Sequence, residues 1–187
     1  EALAARLLAK GLDAIDAPMS GGPVRAREGR MSLMVACADA AFERQRVVIE
    51  ALSGAVFRLG TRLGDGARVK LVNYLLAGIN LAGAAEALAL AERAGLDPAL
   101  TLDVIERSSG QSWIGSDRLR RAIAGDLAPR AHTTLLNKDT HLALDMAARL
   151  QMHTPVGDQA AALFARACDS GFAALDDASL FELLGRG

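Results

Sequence analysis

Little in this sequence points to a disulfide-stapled, nucleic-acid-binding or membrane protein. Of its 187 residues only two are cysteine, Cys37 and Cys168, far apart and without a CxxC pair. That argues against a disulfide framework and a thiolate zinc site, and for a reducing, cytoplasmic setting. Aromatic residues make up 4% of the chain, with a single Trp, so a base-stacking surface is not expected. Charge of one sign is also lacking: 21 Lys plus Arg stand against 22 Asp plus Glu, a net charge of -1. Without a basic excess to release counterions, nucleic acid is not an expected partner. The longest uncharged apolar stretch, Leu71 to Ala85, has 15 residues, short of the roughly 20 that span a bilayer. Asn73 and Asn80 interrupt it, so a buried helix is expected and a membrane partner is not.

Hydrophobic residues are 51% and charged residues 23%, the balance of a globular chain. The sequence opens at Glu1 inside a helical pattern, with no charged segment leading into an apolar one. That is not a signal peptide, and sequence is expected to be missing upstream.

Punctuation divides the chain. Residues 1–10 read as the end of an Ala/Leu helix closed by Gly11. Leu12 to Ala17 reads as a short strand stopped by Pro18, and Ser20 to Pro23 as a loop. Met31 to Cys37 and Ala55 to Leu59 read as strands around a helix capped by Asp39 and ended by Gly54. After Gly60 the pattern turns helical. A long helix is predicted over 67–94, with Gly78 and Gly83 letting a neighbour come close. Asp97–Pro98 and Thr154–Pro155 are cap-then-proline starts. Further helices are predicted over 98–107, 113–124, 134–150, 155–171 and 177–184, with no strand after residue 66. The expected fold is therefore the back part of a Rossmann-type α/β domain (1–64), joined by a long helix to an all-helical domain (65–187). A helix that long needs covering by more than one partner, which favours a homo-oligomer or at least two domains packed on its sides.

Several residues could carry chemistry. Lys70, Asn73, Ala77 and Asn80 share one face of the long helix. A lysine desolvated among apolar neighbours becomes able to move protons; the plainer meaning is a snorkelling lysine with two helix-tying amides. Asp16-Ala17-Pro18-Met19-Ser20-Gly21-Gly22 ends a strand in a hydroxyl and two glycines, a cradle suited to a carboxylate or simply a turn. Gly64-Asp65-Gly66 opens a helix but lacks the third glycine, since position 69 is Val, and is rejected as a dinucleotide phosphate loop. His141 and Asp145 stand one turn apart, yet a solvated charged face is the commoner meaning and no metal is expected. Trp113 is expected as a core anchor or a pocket wall. Asp176 and Asp177 read as a helix start.

Three runs occur in order: DAPMSGGPVRAREGRMSLMVA (16–36), GDGARVKLVN (64–73) and NKDTHLALD (137–145). Together they resemble the β-hydroxyacid dehydrogenases, the 3-hydroxyisobutyrate dehydrogenase family. Within it, SSGQSWIGSDRL (108–119) and LDDASLFELL (175–184) are most similar to the L-threonate, four-carbon acid-sugar dehydrogenases. The resemblance implies NAD or NADP as cofactor and a small hydroxy acid as substrate. It implies Lys70 as general acid/base and Ser20, Gly21 and Gly22 as the carboxylate seat. Asn73 would orient the substrate and Lys138 would lie beside the cofactor, with Gln111, Ser112 and Trp113 near the pocket. A homodimer or homotetramer is implied too. Because the family's N-terminal Gly-rich βαβ unit is absent from the sequence, this chain alone is expected to show little or no turnover. The rival reading is a non-catalytic helical dimerisation or scaffold module derived from that family.

Overall fold

A computed structural model describes residues 2–185. The chain forms two compact units, 1–72 and 73–187. The fold is the α/β remnant and helical domain expected from sequence.

Unit 1 contains α1 (Ala2–Leu8), β1 (Met19–Ser20), α2 (Gly22–Arg27), β2 (Ser32–Ala36), α3 (Asp39–Leu52), β3 (Ala55–Gly60) and the start of α4 (Asp65–Arg93). The sheet order is β1-β2-β3. β2 and β3 run parallel with Ser32 opposite Ala55, and β1 runs antiparallel to β2. The central strand is the apolar run Leu33–Ala36, buried on both faces, as a β-α-β crossover requires. Leu33, Val35, Cys37, Ala41 and Ile49 form the core, with Ile15, Phe42 and Val56 against it.

Four expectations fail here for local reasons. Leu12–Ala17 is not a strand; only Asp16 pairs, exchanging two backbone hydrogen bonds with Ala36 at 3.0 and 2.8 Å. Nor does Pro18 stop the pairing. Its carbonyl accepts from the Met34 amide at 3.0 Å, and Met19 and Ser20 continue the register opposite Leu33 and Ser32. Proline withholds one ladder donor, which an edge strand tolerates. Asp39 does not cap α3 either. Ala38 holds the cap position, and the Asp39 carboxylate instead accepts from the Arg58 guanidinium at 2.8 Å. The expected loop over Ser20 to Pro23 shrinks to Gly21, since Ser20 ends β1 and α2 begins at Gly22.

Unit 2 contains the rest of α4, α5 (Pro98–Glu106), α6 (Trp113–Ile123), α7 (Thr133–Arg149), α8 (Pro155–Ala167) and α9 (Leu180–Gly185). Among the described residues it has no strand, only an isolated bridge between His132 and Asp176. Its core runs from Leu81, Ala85 and Leu88 through Leu102, Leu119 and Leu136 to Phe164 and Leu180. By length and composition α4 could cross a bilayer, but its buried face builds this core. Gly78 does admit a neighbour: a Cβ there would lie 2.7 Å from Thr140 Cγ2 and 3.4 Å from Phe164 Cε2. Gly83 is exposed, with open space around it within this chain. Asp97 caps α5, accepting from the Leu100 amide at 2.7 Å. Thr154 holds the cap position of α8 with Pro155 in the first turn, but its hydroxyl donates to Asp158 Oδ1 at 3.3 Å rather than accepting from a helix amide. Helix α8 passes directly into a wider helical turn over Cys168–Phe172, and the helical backbone breaks at the expected Gly171, with φ +90°.

Candidate active site

The Ser20 segment lies at the end of an edge strand. Gly21 and Gly22 follow with φ of +135° and +68°, values that side-chain-bearing residues rarely adopt. Gly22 opens α2, with Pro23 in the first turn, no acidic residue there and no side-chain cap. The first-turn amides of a helix point outward and carry partial positive charge. With Ser20 directly before it, this uncapped start is a candidate anion corner.

Lys70 stands near the start of α4, partly buried. That start is built differently. Asp16 Oδ2 accepts from the Gly64 amide at 2.9 Å and the Ala67 amide at 3.2 Å. A carboxylate of the chain itself thus fills the place a phosphate would take, which explains why Gly64-Asp65-Gly66 is no phosphate loop. Gly66 is buried, and a Cβ on it would fall 2.5 Å from the Met34 carbonyl oxygen and 2.9 Å from Pro18 Cδ. Asp65 is taken up by Arg68, at 2.6 Å. So the helix bearing Lys70 is clamped by the same backbone segment, Asp16–Pro18, that runs on into Ser20. Asn73 follows Lys70 by three residues on α4, exposed.

Lys138 and Asn137 are on α7. Lys138 is largely exposed, with Nζ 3.1 Å from Asp139 Oδ1. Asn137 Oδ1 is buried with no hydrogen-bond partner among the described residues. His141 Nδ1 lies 2.8 Å from the Asn137 carbonyl, and among the described residues no group of three His, Cys, Asp or Glu converges on a metal position. Ser112 caps α6, accepting from the Gly115 amide at 3.2 Å. Trp113 opens that helix at 53% exposure, so of the two roles expected of it the core anchor fails.

Sequence reasoning missed a charged cluster within unit 2. Asp176 is fully buried and accepts from Arg121 Nη2 at 2.8 Å and from the amides of Arg130 and Ala178 at 2.8 and 3.1 Å. Arg118 Nε donates to Asp177 at 2.6 Å. Burial alone would raise the Asp176 pKa, but the Arg130 amide and the Arg121 guanidinium outweigh it and hold the carboxyl below its ordinary range. For Asp177 burial wins: it pushes the carboxyl up to about 7 against the pull of Arg118, with the Asp176 charge adding to the rise. The partners are more than 50 residues apart in sequence, and no spacing rule finds such pairs.

A parallel βαβ unit followed in sequence by an all-helical unit is the architecture these elements define. The family model described as NAD-binding of NADP-dependent 3-hydroxyisobutyrate dehydrogenase matches residues 64–184, and that for the NAD binding domain of 6-phosphogluconate dehydrogenase matches residues 1–60. The chain therefore belongs to the 3-hydroxyisobutyrate dehydrogenase family. It is 38% identical to an L-threonate dehydrogenase of Escherichia coli O6:H1, over 97% of this chain and 60% of that protein. The crystal structure of a 3-hydroxyisobutyrate dehydrogenase from Salmonella typhimurium superposes with a TM-score of 0.91 at 36% identity, covering 97% of this chain and 64% of that one. Psf3, solved in complex with NADP+ and 2-OPP, gives a TM-score of 0.85 at 27% identity, covering 98% and 64%. The chain thus spans about three-fifths of the length of the curated relatives it matches.

Proposed function

We propose that this chain supplies the substrate-binding and proton-transfer part of an NAD(P)-dependent β-hydroxyacid dehydrogenase. The substrate is a small 3-hydroxy acid, with a four-carbon acid sugar such as threonate favoured by the similarity to L-threonate dehydrogenases. The observation that carries this reading is the contrast between two helix starts in unit 1. The α4 start is filled by Asp16, whereas the α2 start has no side-chain cap and no acid in its first turn. An incoming carboxylate is therefore drawn to Ser20, Gly21 and Gly22. Held there by the hydroxyl and main-chain N–H groups, the substrate turns its 3-hydroxyl to Lys70. The Lys70 amine takes the hydroxyl proton during oxidation, and its ammonium returns it during reduction. Asn73, one turn on, orients the reacting hydroxyl by hydrogen bonding. When bound, nicotinamide accepts or donates the hydride.

For the cofactor, the exposed ammonium of Lys138 suits NAD or NADP oxygens, and the unpartnered Asn137 acceptor is a demand that a ligand amide or a water can meet. Functionally the chain divides into a cofactor-side part (1–64) and a helical substrate and assembly part (65–187). Val72 and Leu76 stay more than half exposed on α4, which fits a homodimer or homotetramer of a cytoplasmic enzyme.

The test is kinetic. In the protein extended to the length of its relatives, Lys70→Ala is expected to lower kcat by about 10²–10⁴-fold. Circular dichroism would confirm retained folding. An unchanged kcat removes Lys70 from the mechanism.

A further inference from the structure

We propose that Asp16 is a positioning residue for proton transfer: its carboxylate sets where the Lys70 amine stands relative to the Ser20 seat. The inference rests on the reading of Lys70 and Ser20 given above, but its evidence is separate. Asp16 is fixed from two directions. Its backbone is locked to β2 by the paired hydrogen bonds with Ala36, at 3.0 and 2.8 Å. One side-chain oxygen, Oδ2, grips the amides of Gly64 and Ala67. Ala67 precedes Lys70 by three residues, close to one helical turn. Asp16 precedes Ser20 by four residues along an edge whose register holds through Pro18, Met19 and Ser20. A single side chain therefore ties the rotation and height of the lysine helix to the strand that ends in the anion corner.

Gly66 completes the device. With no Cβ, it lets the first turn of α4 rest against the Met34 carbonyl and Pro18, so the turn cannot advance toward the sheet and Asp16 keeps it from retreating. Neither residue needs to touch substrate. Their effect is on geometry, and proton transfer and orientation are steep in geometry: a displacement of about 1 Å costs on the order of 10²-fold in rate.

An ordinary helix cap would contribute stability alone, and this chain holds a matched control. Asp97 caps α5 through the Leu100 amide at 2.7 Å, and α5 carries none of the proposed site residues. The experiment measures kcat and KM for the hydroxy acid, together with Tm, in the full-length protein and its D16A, D16N, D16E, D97A and K70A variants. D16A is expected to lower kcat by about 30–100-fold with KM within about threefold. D16N, whose side-chain oxygen still reaches both amides, is expected to restore kcat to within about tenfold of wild type. D97A is expected to lose a similar amount of Tm with kcat unchanged.

If D16A fails to fold, D16E decides. It keeps the charge and the capping chemistry but moves the oxygen out by one methylene, so a fall in kcat at constant KM supports positioning. D16A or D16E with wild-type kcat, or D97A losing as much kcat as D16A, overturns the proposal. K70A separates the two readings. If K70A is inactive while D16A behaves like D97A, the positioning role falls and the lysine stands. If K70A keeps its rate, the lysine reading falls and any loss in D16A has another cause, so the positioning role falls with it.

Discussion

In unit 1 one partly buried carboxylate, Asp16, holds the start of α4 through two main-chain amides. In unit 2 two fully withdrawn carboxylates, Asp176 and Asp177, hold the end of the chain through two guanidiniums and several amides. The first solution uses partial charges that any helix start presents, and it leaves no ion stranded. The second withdraws two carboxyl groups and two guanidiniums from water, and its gain depends on every contact being kept. It is not fully kept even in the native fold: Arg121 Nε and Nη1 are buried without partners among the described residues. The two regions are therefore expected to respond differently to loss of one acid.

The largest effect is expected at Asp176. Replacing it with Ala leaves Arg121 buried without its counter-charge and strands the amides of Arg130 and Ala178. The cost is about 3–5 kcal/mol, measured by urea unfolding. Hydrogen exchange would then locate the damage, with faster exchange in α6 and α7 and no change in β2. Acceleration of β2 to the same extent would break the comparison, because the two units would then unfold as one block.

The same pair predicts an unusual dependence on pH. Asp177, held near 7 in the folded chain, ionises near 4 when unfolded. Between those values the folded state binds the extra proton. The contribution of Asp177 is therefore fully present below about pH 4 and is lost as pH rises through 7. Asp176 acts in the opposite sense: its depressed pKa gives stability that is present above the ordinary carboxylate range and lost as pH falls below it. Wild-type Tm should fall between pH 5 and pH 7.5 relative to D177N, in which the titrating group is gone. Parallel Tm curves for the two proteins would show that Arg118 keeps Asp177 ionised throughout.

How much of this was legible in the sequence follows from the range of each interaction. The Asp97 cap and the closing glycine at Gly11 use partners within four residues, and both were readable. Asp39 and Thr154 also looked like caps, but other partners claim their side-chain oxygens: Arg58 for the first and Asp158 for the second. The effect of Pro18 depends on whether the strand is an edge, and that is decided by pairing, which no local pattern shows. Ser20, Gly21, Gly22 and Lys70 could be nominated from local pattern and resemblance. What could not be read was Asp16 as the clamp of α4, since the amides that donate to it lie 48 and 51 residues downstream. A faint signal existed in an acid directly preceding Ala-Pro at the end of an apolar segment, where no solvent-facing role was evident.

The smallest effects concern glycine, and they test whether close approach is as demanding in the helical unit as at Gly66 in unit 1. In Gly78→Ala the new methyl meets Thr140 Cγ2 at 2.7 Å and Phe164 Cε2 at 3.4 Å. Thr140 is buried, with its hydroxyl bonded to the Leu136 and Asn137 carbonyls at 2.9 Å, so it cannot simply swing away. Overpacking at such a contact costs about 1–3 kcal/mol, less whatever helix propensity alanine returns. Gly83, five residues on in the same helix, is exposed with nothing within 4 Å of an added Cβ. There the propensity gain stands alone, and Gly83→Ala is expected to stabilise by up to about 1 kcal/mol. Urea midpoints of the two variants should therefore move in opposite directions. If both rose, α4 and α7 would have room to separate, and the packing at Gly78 would be slack in a way that the 2.5 Å limit at Gly66 does not allow.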